Sequence, residues 1–138
     1  EASTARLTEQ DVLLTNPLDN NAEVAFLAAQ QNKQEGNIYY VTANGKKGIF
    51  NRYGSTIIPC QYDEIISLGH RYIVKRDKKF GVYNQYGSTI LPCQFQKIEC
   101  LNNGHYVTTR DKSQQVYNAY GALLENRTNM KVVFSTED

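Results

Sequence analysis

The chain contains the stretch Gly48-Ile-Phe-Asn-Arg-Tyr-Gly-Ser-Thr-Ile-Ile-Pro-Cys-Gln-Tyr62 and repeats it 33 residues later as Gly81-Val-Tyr-Asn-Gln-Tyr-Gly-Ser-Thr-Ile-Leu-Pro-Cys-Gln-Phe95. Of the 21 positions from Gly48 to Leu68, 12 are identical in the second copy. A fixed period in this range is typical of repeat proteins, in which each unit buries its apolar face against the next. The repeat therefore decides the kind of fold before any single residue is considered.

The turns within the repeat predict antiparallel β-hairpins. Asn44-Gly45 is a strong two-residue hairpin signal, because both turn positions favour a positive φ. A second reversal in each copy ends in a Tyr-Gly pair: Tyr53-Gly54, Tyr86-Gly87 and Tyr120-Gly121. Solenoid coils do not need such reversals, and a four-stranded propeller blade usually needs about 40 residues. We therefore predict a mainly β fold, an antiparallel hairpin repeat array with a period of 33–34 and about three units.

Each unit is predicted to contain four short strands, in an array curled enough to enclose a core of alternating apolar side chains. Proline cannot donate a ladder hydrogen bond, so the third strand is predicted to end at Pro59 in one copy and at Pro92 in the next. A short fourth strand is expected around residues 62–66 and 95–99, and a last strand around 130–135.

Residues 1–36 differ in kind from the rest of the chain. Thr8-Glu-Gln-Asp11 resembles a capping box at the start of a helix, and Asp19 or Asn20 could cap a second helix. We predict an N-terminal helical cap, or the tail of a preceding region, at 1–36. The β-repeat domain is predicted at 37–138, with a short helical segment before it and units at approximately 38–71, 72–105 and 106–135.

Composition excludes several classes of function. The net charge is +1, from 15 basic and 14 acidic residues, which predicts no binding to nucleic acid. No apolar run approaches 20 residues, so no membrane span is predicted. The sequence begins at Glu1, and we expect a processed form or a piece of a longer protein, with a removed export signal as an open alternative.

The residues from Gly48 to Ile65 follow the pattern Gly-Ile-Phe-Asn-x-x-Gly-x-x-Ile-Ile-Pro-Cys-x-Tyr-Asp-x-Ile, which resembles the WG-repeat family of bacterial β-rich proteins. A second copy matches from Gly81 to Ile98, and a third matches partially from Val116 to Leu124. The family's namesake Trp-Gly pair is replaced by Lys47-Gly48, Phe80-Gly81 and Gln114-Gln115. The resemblance implies a β repeat module without catalytic machinery of its own, used for interaction or scaffolding.

The cysteines and histidines offer little support for catalysis. Cys60 and Cys93 share a repeat position and could form a disulfide or a soft metal pair, but we expect small buried side chains, because no further zinc ligands occur at a recognisable spacing. Cys100 with His105 could supply a nucleophile. His70 and His105 could share a metal ion or sense pH, but we expect both to be solvated loop residues. No phosphate loop or nucleophile elbow occurs, so we predict no enzyme, no cofactor and no metal site.

The candidate ligand-binding residues are Tyr53, Tyr86 and Tyr120. Each precedes the glycine of its reversal, and aromatic residues at exposed turn tips are often contact residues. Alternatively, each tyrosine folds over its own hairpin, whereas Tyr62 and Phe95 are expected in the core. The leading hypothesis is a non-catalytic module that mediates protein or glycan binding or scaffolding. The alternatives are a structural spacer or a self-assembly domain that associates through the ends of the array, and, least favoured, an enzyme.

Overall fold

A computed structural model of the chain describes residues 37–126 and 130–136, and these residues form twelve β-strands. The strands are β1 Ile38–Ala43, β2 Lys46–Asn51, β3 Thr56–Tyr62, β4 Glu64–Ser67, β5 Arg71–Arg76, β6 Lys79–Asn84, β7 Thr89–Phe95, β8 Lys97–Leu101, β9 Tyr106–Arg110, β10 Ser113–Tyr117, β11 Leu123–Leu124 and β12 Val132–Ser135. The helical segment predicted at 1–36 lies outside the described residues. Within them, no helix could cross a membrane.

The strands form three antiparallel sheets, which confirms the mainly β prediction and its hairpin connections. Their strand orders are β1-β2-β3, β4-β5-β6-β7 and β11-β10-β9-β8-β12. The fourth strand of a copy pairs with the first strand of the next copy, as β8 does with β9, so each later sheet draws strands from two copies. The hairpins are thus distributed over separate sheets, a division that the sequence did not predict.

The chain divides into two compact units, which join between Ile65 and Ile66. In the described part of the first unit, the sheet β1-β2-β3 buries Val41, Ile49 and Ile58 completely or almost completely. In the second unit, one core cluster combines side chains of β5, β6 and β7 with side chains of β8 and β9. Its buried members are Ile73, Phe80, Val82, Leu91, Phe95, Ile98, Cys100 and Tyr106. The core of this unit therefore lies between its two sheets.

The two-residue hairpin turns have the predicted backbone. Asn44 and Gly45 have φ angles of 54° and 77°, and the turn positions of the next two copies are positive as well. These are Asp77 at 53°, Lys78 at 67°, Asp111 at 50° and Lys112 at 72°. Positive φ at both positions matches the right-handed twist of the flanking strands, which confirms the hairpin predicted at Asn44-Gly45 and gives the next two copies the same turn.

The prediction that the third strand ends at proline was wrong. β3 continues through Pro59 to Tyr62, and β7 continues through Pro92 to Phe95. Both strands lie at the edge of their sheet, where a missing N–H is tolerated. The pairing also shifts here: Phe80 pairs with Phe95 and Val82 with Leu91, so the proline lies in an irregular stretch where β7 has extra residues.

A glycine opposite this irregular stretch allows the two backbones to approach. A Cβ atom on Gly81 would lie 2.8 Å from the Cα of Cys93 and 2.9 Å from the carbonyl oxygen of Leu91. Gly48 occupies the same place opposite β3. In the third copy the corresponding residue is Gln115, and there the partner strand β11 has only two residues. The glycine of the repeat is therefore a packing requirement of the bulged strand.

Candidate functional site

The second reversal of each copy is held by an asparagine side chain. In the second copy, Oδ1 of Asn84 accepts hydrogen bonds from the backbone N–H groups of Tyr86 and Ser88, both at 2.9 Å. The backbone N–H of Asn84 donates to the carbonyl oxygen of Ser88 at 2.8 Å. The backbone N–H of Gly87 donates to the carbonyl oxygen of Asn84 at 3.2 Å. Asn51 and Asn118 make the same set of bonds in their copies. A side chain that mimics a backbone turn in this way fixes the loop geometry.

These turns present the three candidate tyrosines to solvent. Tyr53 is 61% exposed, Tyr86 is 80% exposed and Tyr120 is 90% exposed. Their surroundings differ, since the Arg52 guanidinium lies 5.1 Å from the ring centroid of Tyr53. The three turn tyrosines are thus clearly distinct from Tyr62, which was expected in the core and is only 4% exposed.

In the second unit, the turn that carries Tyr120 packs closely against β7. A Cβ atom on Gly121 would overlap the carbonyl oxygen of Ile90, and the φ of this glycine is 90°. Both the left-handed backbone and the close approach require glycine at this position. The turn is therefore fixed against the sheet as well as by Asn118.

A cavity of about 370 Å³ opens beside this turn, and all of its lining residues belong to the second unit. Its principal polar and aromatic lining residues are His70, Arg71, Asn84, Ser88, Tyr106 and Tyr120. Tyr106 is fully buried and so lines the inner end, whereas the exposed Tyr120 lies at the mouth. A cavity of this volume is in the range that accepts small ligands.

Two polar groups at this cavity are buried without a hydrogen-bond partner among the described residues: Nε of Arg71 and the hydroxyl of Tyr106. The Arg71 guanidinium carbon lies 5.4 Å from the ring centroid of Tyr106. Burial raises the pKa of Tyr106 to about 12, and the nearby charge of Arg71 offsets part of that rise. The Tyr106 hydroxyl therefore keeps its proton at neutral pH and can donate a hydrogen bond.

Residues 48–79 and 80–110 match the family described as WG containing repeat. This stretch is similar to WG repeats. The match covers the two glycines that allow the close backbone approach, Gly48 and Gly81, and it ends before Gln115, which takes this place in the third copy. No curated protein and no solved structure shows a significant match to the chain.

The three cysteines, Cys60, Cys93 and Cys100, are free thiols. Burial raises the pKa of Cys60 and of Cys100, so both remain protonated at neutral pH; Arg71 offsets the rise at Cys100 only in part. A protonated thiol is a poor nucleophile and a poor metal ligand. Among residues 37–126 and 130–136, no group of three or more His, Cys, Asp and Glu side chains could hold a metal ion.

The two histidines have different surroundings. His70 is exposed and lines the cavity, whereas His105 is half-buried and its Nδ1 has no hydrogen-bond partner in the described part of the chain. Only His70 therefore fits the expectation of a solvated loop histidine.

Reasoning from the sequence missed the asparagines that hold the turns and also missed Arg71. The asparagines could have been found, because an Asn stands two residues before each turn tyrosine in all three copies. Arg71 could not, because the first strands of the other copies have no arginine at the corresponding position and nothing in the sequence indicates its position over Tyr106.

Replacing Tyr106 by Phe is expected to stabilise the protein at neutral pH by about 1 kcal/mol, because it removes a buried hydroxyl that has no hydrogen-bond partner. The stability difference is expected to grow above pH 10. There the unfolded state loses the tyrosine proton while the folded state retains it up to about pH 12, so the wild type loses stability as the pH rises. Urea unfolding of both proteins at pH 7 and pH 11 measures this. A variant that is less stable at both values would show that the hydroxyl has a stabilising partner.

Proposed function

We propose that this chain is a non-catalytic binding module whose contact residues are Tyr53, Tyr86 and Tyr120. The observation that carries the proposal is that all three are exposed on turns with the same asparagine-centred hydrogen bonds. A tyrosine offers a large amphipathic contact area and has few side-chain torsions to order when it binds. A fixed turn further lowers the entropic cost of association.

The surroundings of the tyrosines favour recognition of another molecule over an internal structural role. All three rings are exposed. The core of the second unit instead contains other aromatic residues, such as Phe95 and Tyr106. The alternative that a tyrosine folds over its own hairpin predicts low exposure, which does not fit the 80% of Tyr86 or the 90% of Tyr120. Aromatic residues held at exposed, fixed positions are often contact residues.

We propose a protein as the partner, with a glycan as the second arm of the test. Protein interfaces are enriched in tyrosine, whose ring and hydroxyl contribute both apolar contact and a hydrogen bond. Catalysis has no part in the proposal. Burial keeps the thiols of Cys60 and Cys100 protonated, and a protonated thiol is a poor nucleophile.

The test compares the wild type with the triple variant Tyr53→Ala, Tyr86→Ala and Tyr120→Ala, each immobilised for capture from a cell lysate and also applied to a glycan array. The triple variant is expected to lose the partner that the wild type binds while its free energy of unfolding changes by no more than about 0.5 kcal/mol per site. These side chains are exposed, so little folding energy depends on them.

Two controls make the comparison specific. Replacing the same three tyrosines by Phe retains the rings and is expected to retain most binding. Replacing Lys78 and Lys112 by Ala alters exposed side chains at the other reversal of the hairpins and is expected to leave binding unchanged. Equal capture by the wild type and the triple alanine variant would contradict the proposal and favour the spacer or self-assembly alternative.

A further inference from the structure

We propose that the cavity of the second unit, lined by Arg71 and Tyr106, binds a small organic carboxylate whose ring lies against Tyr120. This ligand is distinct from the macromolecular partner proposed for the turn tyrosines. The cavity is separate from the turn tips of the first copies, since neither Tyr53 nor Tyr86 lines it.

The charge of the cavity indicates an anion. Arg71 is half-buried and lines the cavity, and no carboxylate of the described residues forms an ion pair with it. No acidic residue occurs among the described residues that line the cavity. Since a partly buried guanidinium is most stable beside an anion that accepts its hydrogen bonds, a negatively charged ligand complements this site.

The two unpartnered groups supply donors for such a ligand. The N–H at Nε of Arg71 and the hydroxyl of Tyr106 are both buried, and both lack a hydrogen-bond partner within the described part of the chain. The Tyr106 ring lies near the guanidinium, so both groups belong to one local arrangement at the cavity. A carboxylate has two oxygens, so one that displaces the atoms now covering these donors can accept hydrogen bonds from both at once.

The rest of the lining indicates a ligand with a ring. Ile90 and Ala119 add apolar surface, and Tyr120 places an exposed aromatic ring at the mouth of the cavity. Asn84 and Ser88 add polar groups on the turn that Asn84 itself holds. An aromatic acid or a sugar acid combines a carboxylate with a ring of suitable size, and both share the chemistry that this lining recognises.

The test titrates the intact chain with benzoate and with glucuronate and follows the Arg71 Nε–H and Tyr106 ring resonances by NMR. Benzamide is the neutral control for benzoate, and glucose is the neutral control for glucuronate. We expect saturable shifts with at least one acid and binding at least tenfold weaker for its neutral counterpart. The acid that binds more tightly identifies the ring, and a response to either acid supports the proposal.

Two variants assign the effect to the cavity. Arg71→Gln is expected to weaken binding of the acid at least tenfold, whereas Arg110→Gln, which removes the same charge from an exposed residue outside the lining, is expected to bind like the wild type. Tyr106→Phe is expected to weaken binding about threefold or more. If Arg71→Gln does not fold, the comparison of acid with neutral counterpart and the Tyr106→Phe variant still decide the outcome.

The proposal is overturned by the absence of any saturable shift, by equal binding of acid and neutral counterpart, or by unchanged binding in Arg71→Gln. Inorganic phosphate that binds as tightly as either acid would also overturn it, because the site would then select charge without the ring. Arg71→Gln retains all three turn tyrosines, so its capture of a macromolecular partner shows whether the two proposals fail separately.

Discussion

Gly81→Ala is expected to lower the free energy of unfolding of the second unit by about 3 kcal/mol. The new Cβ would lie 2.8 Å from backbone atoms of Cys93, and backbone atoms of a paired strand cannot move aside as a flexible side chain can. Either β6 and β7 separate or the bulge around Pro92 rearranges. Urea unfolding followed by circular dichroism measures the loss.

Gly69→Ala is the matched control for this substitution. Gly69 has a φ of 96°, and a Cβ there would meet no atom within 4 Å, so this variant incurs backbone strain of about 1–2 kcal/mol without a clash. We expect Gly81→Ala to be clearly the less stable of the two. A loss at Gly81 that is no greater than the loss at Gly69 would show that β7 can move away from β6 without cost.

Phe95→Ala is expected to destabilise the second unit by about 3–5 kcal/mol. Phe95 is 1% exposed, belongs to the cluster between the two sheets and makes an edge contact with Tyr117, with ring centroids 5.9 Å apart. Truncation to alanine removes this contact and leaves a cavity that neighbouring strands cannot fill. Thermal or urea unfolding of the purified variant measures the effect.

The control for Phe95→Ala is Tyr86→Ala, which removes an aromatic ring of similar size from an 80% exposed position in the same unit. Its free energy of unfolding is expected to change by no more than about 0.5 kcal/mol. Similar losses for the two variants would mean that the Tyr86 ring contributes to folding, and the proposal that it serves as a contact residue would then be wrong.

The repeat allowed much of this fold to be predicted. Local turn chemistry is encoded in a few adjacent residues, so Asn44-Gly45 and the Tyr-Gly reversals indicated the hairpins correctly. Which sheet a strand joins depends on pairing between distant segments, so the pairing of β8 with β9 across two copies was not predicted. The strand end at Pro59 was mispredicted for a related reason: whether a proline is tolerated depends on whether its strand lies at a sheet edge.

The candidate site was only partly predictable. The exposure of Tyr86 followed from its place beside a turn glycine, which is a local feature. The cavity depends on β5, β9 and two turns that meet only in the folded second unit. Arg71 and Tyr106 are 35 positions apart in the sequence, and neither has an unusual neighbour that would indicate their contact.

The glycine opposite the bulged strand has a consequence for how such arrays grow. A copy with glycine at this position accepts a seven-residue third strand, and that strand leads into the fourth strand that pairs with the next copy. In the third copy Gln115 takes this place, the partner strand is only Leu123–Leu124, and β12 pairs with β8 on the side opposite β9. An array designed from identical copies would therefore need glycine at this position in every copy whose third strand is to have the full seven residues.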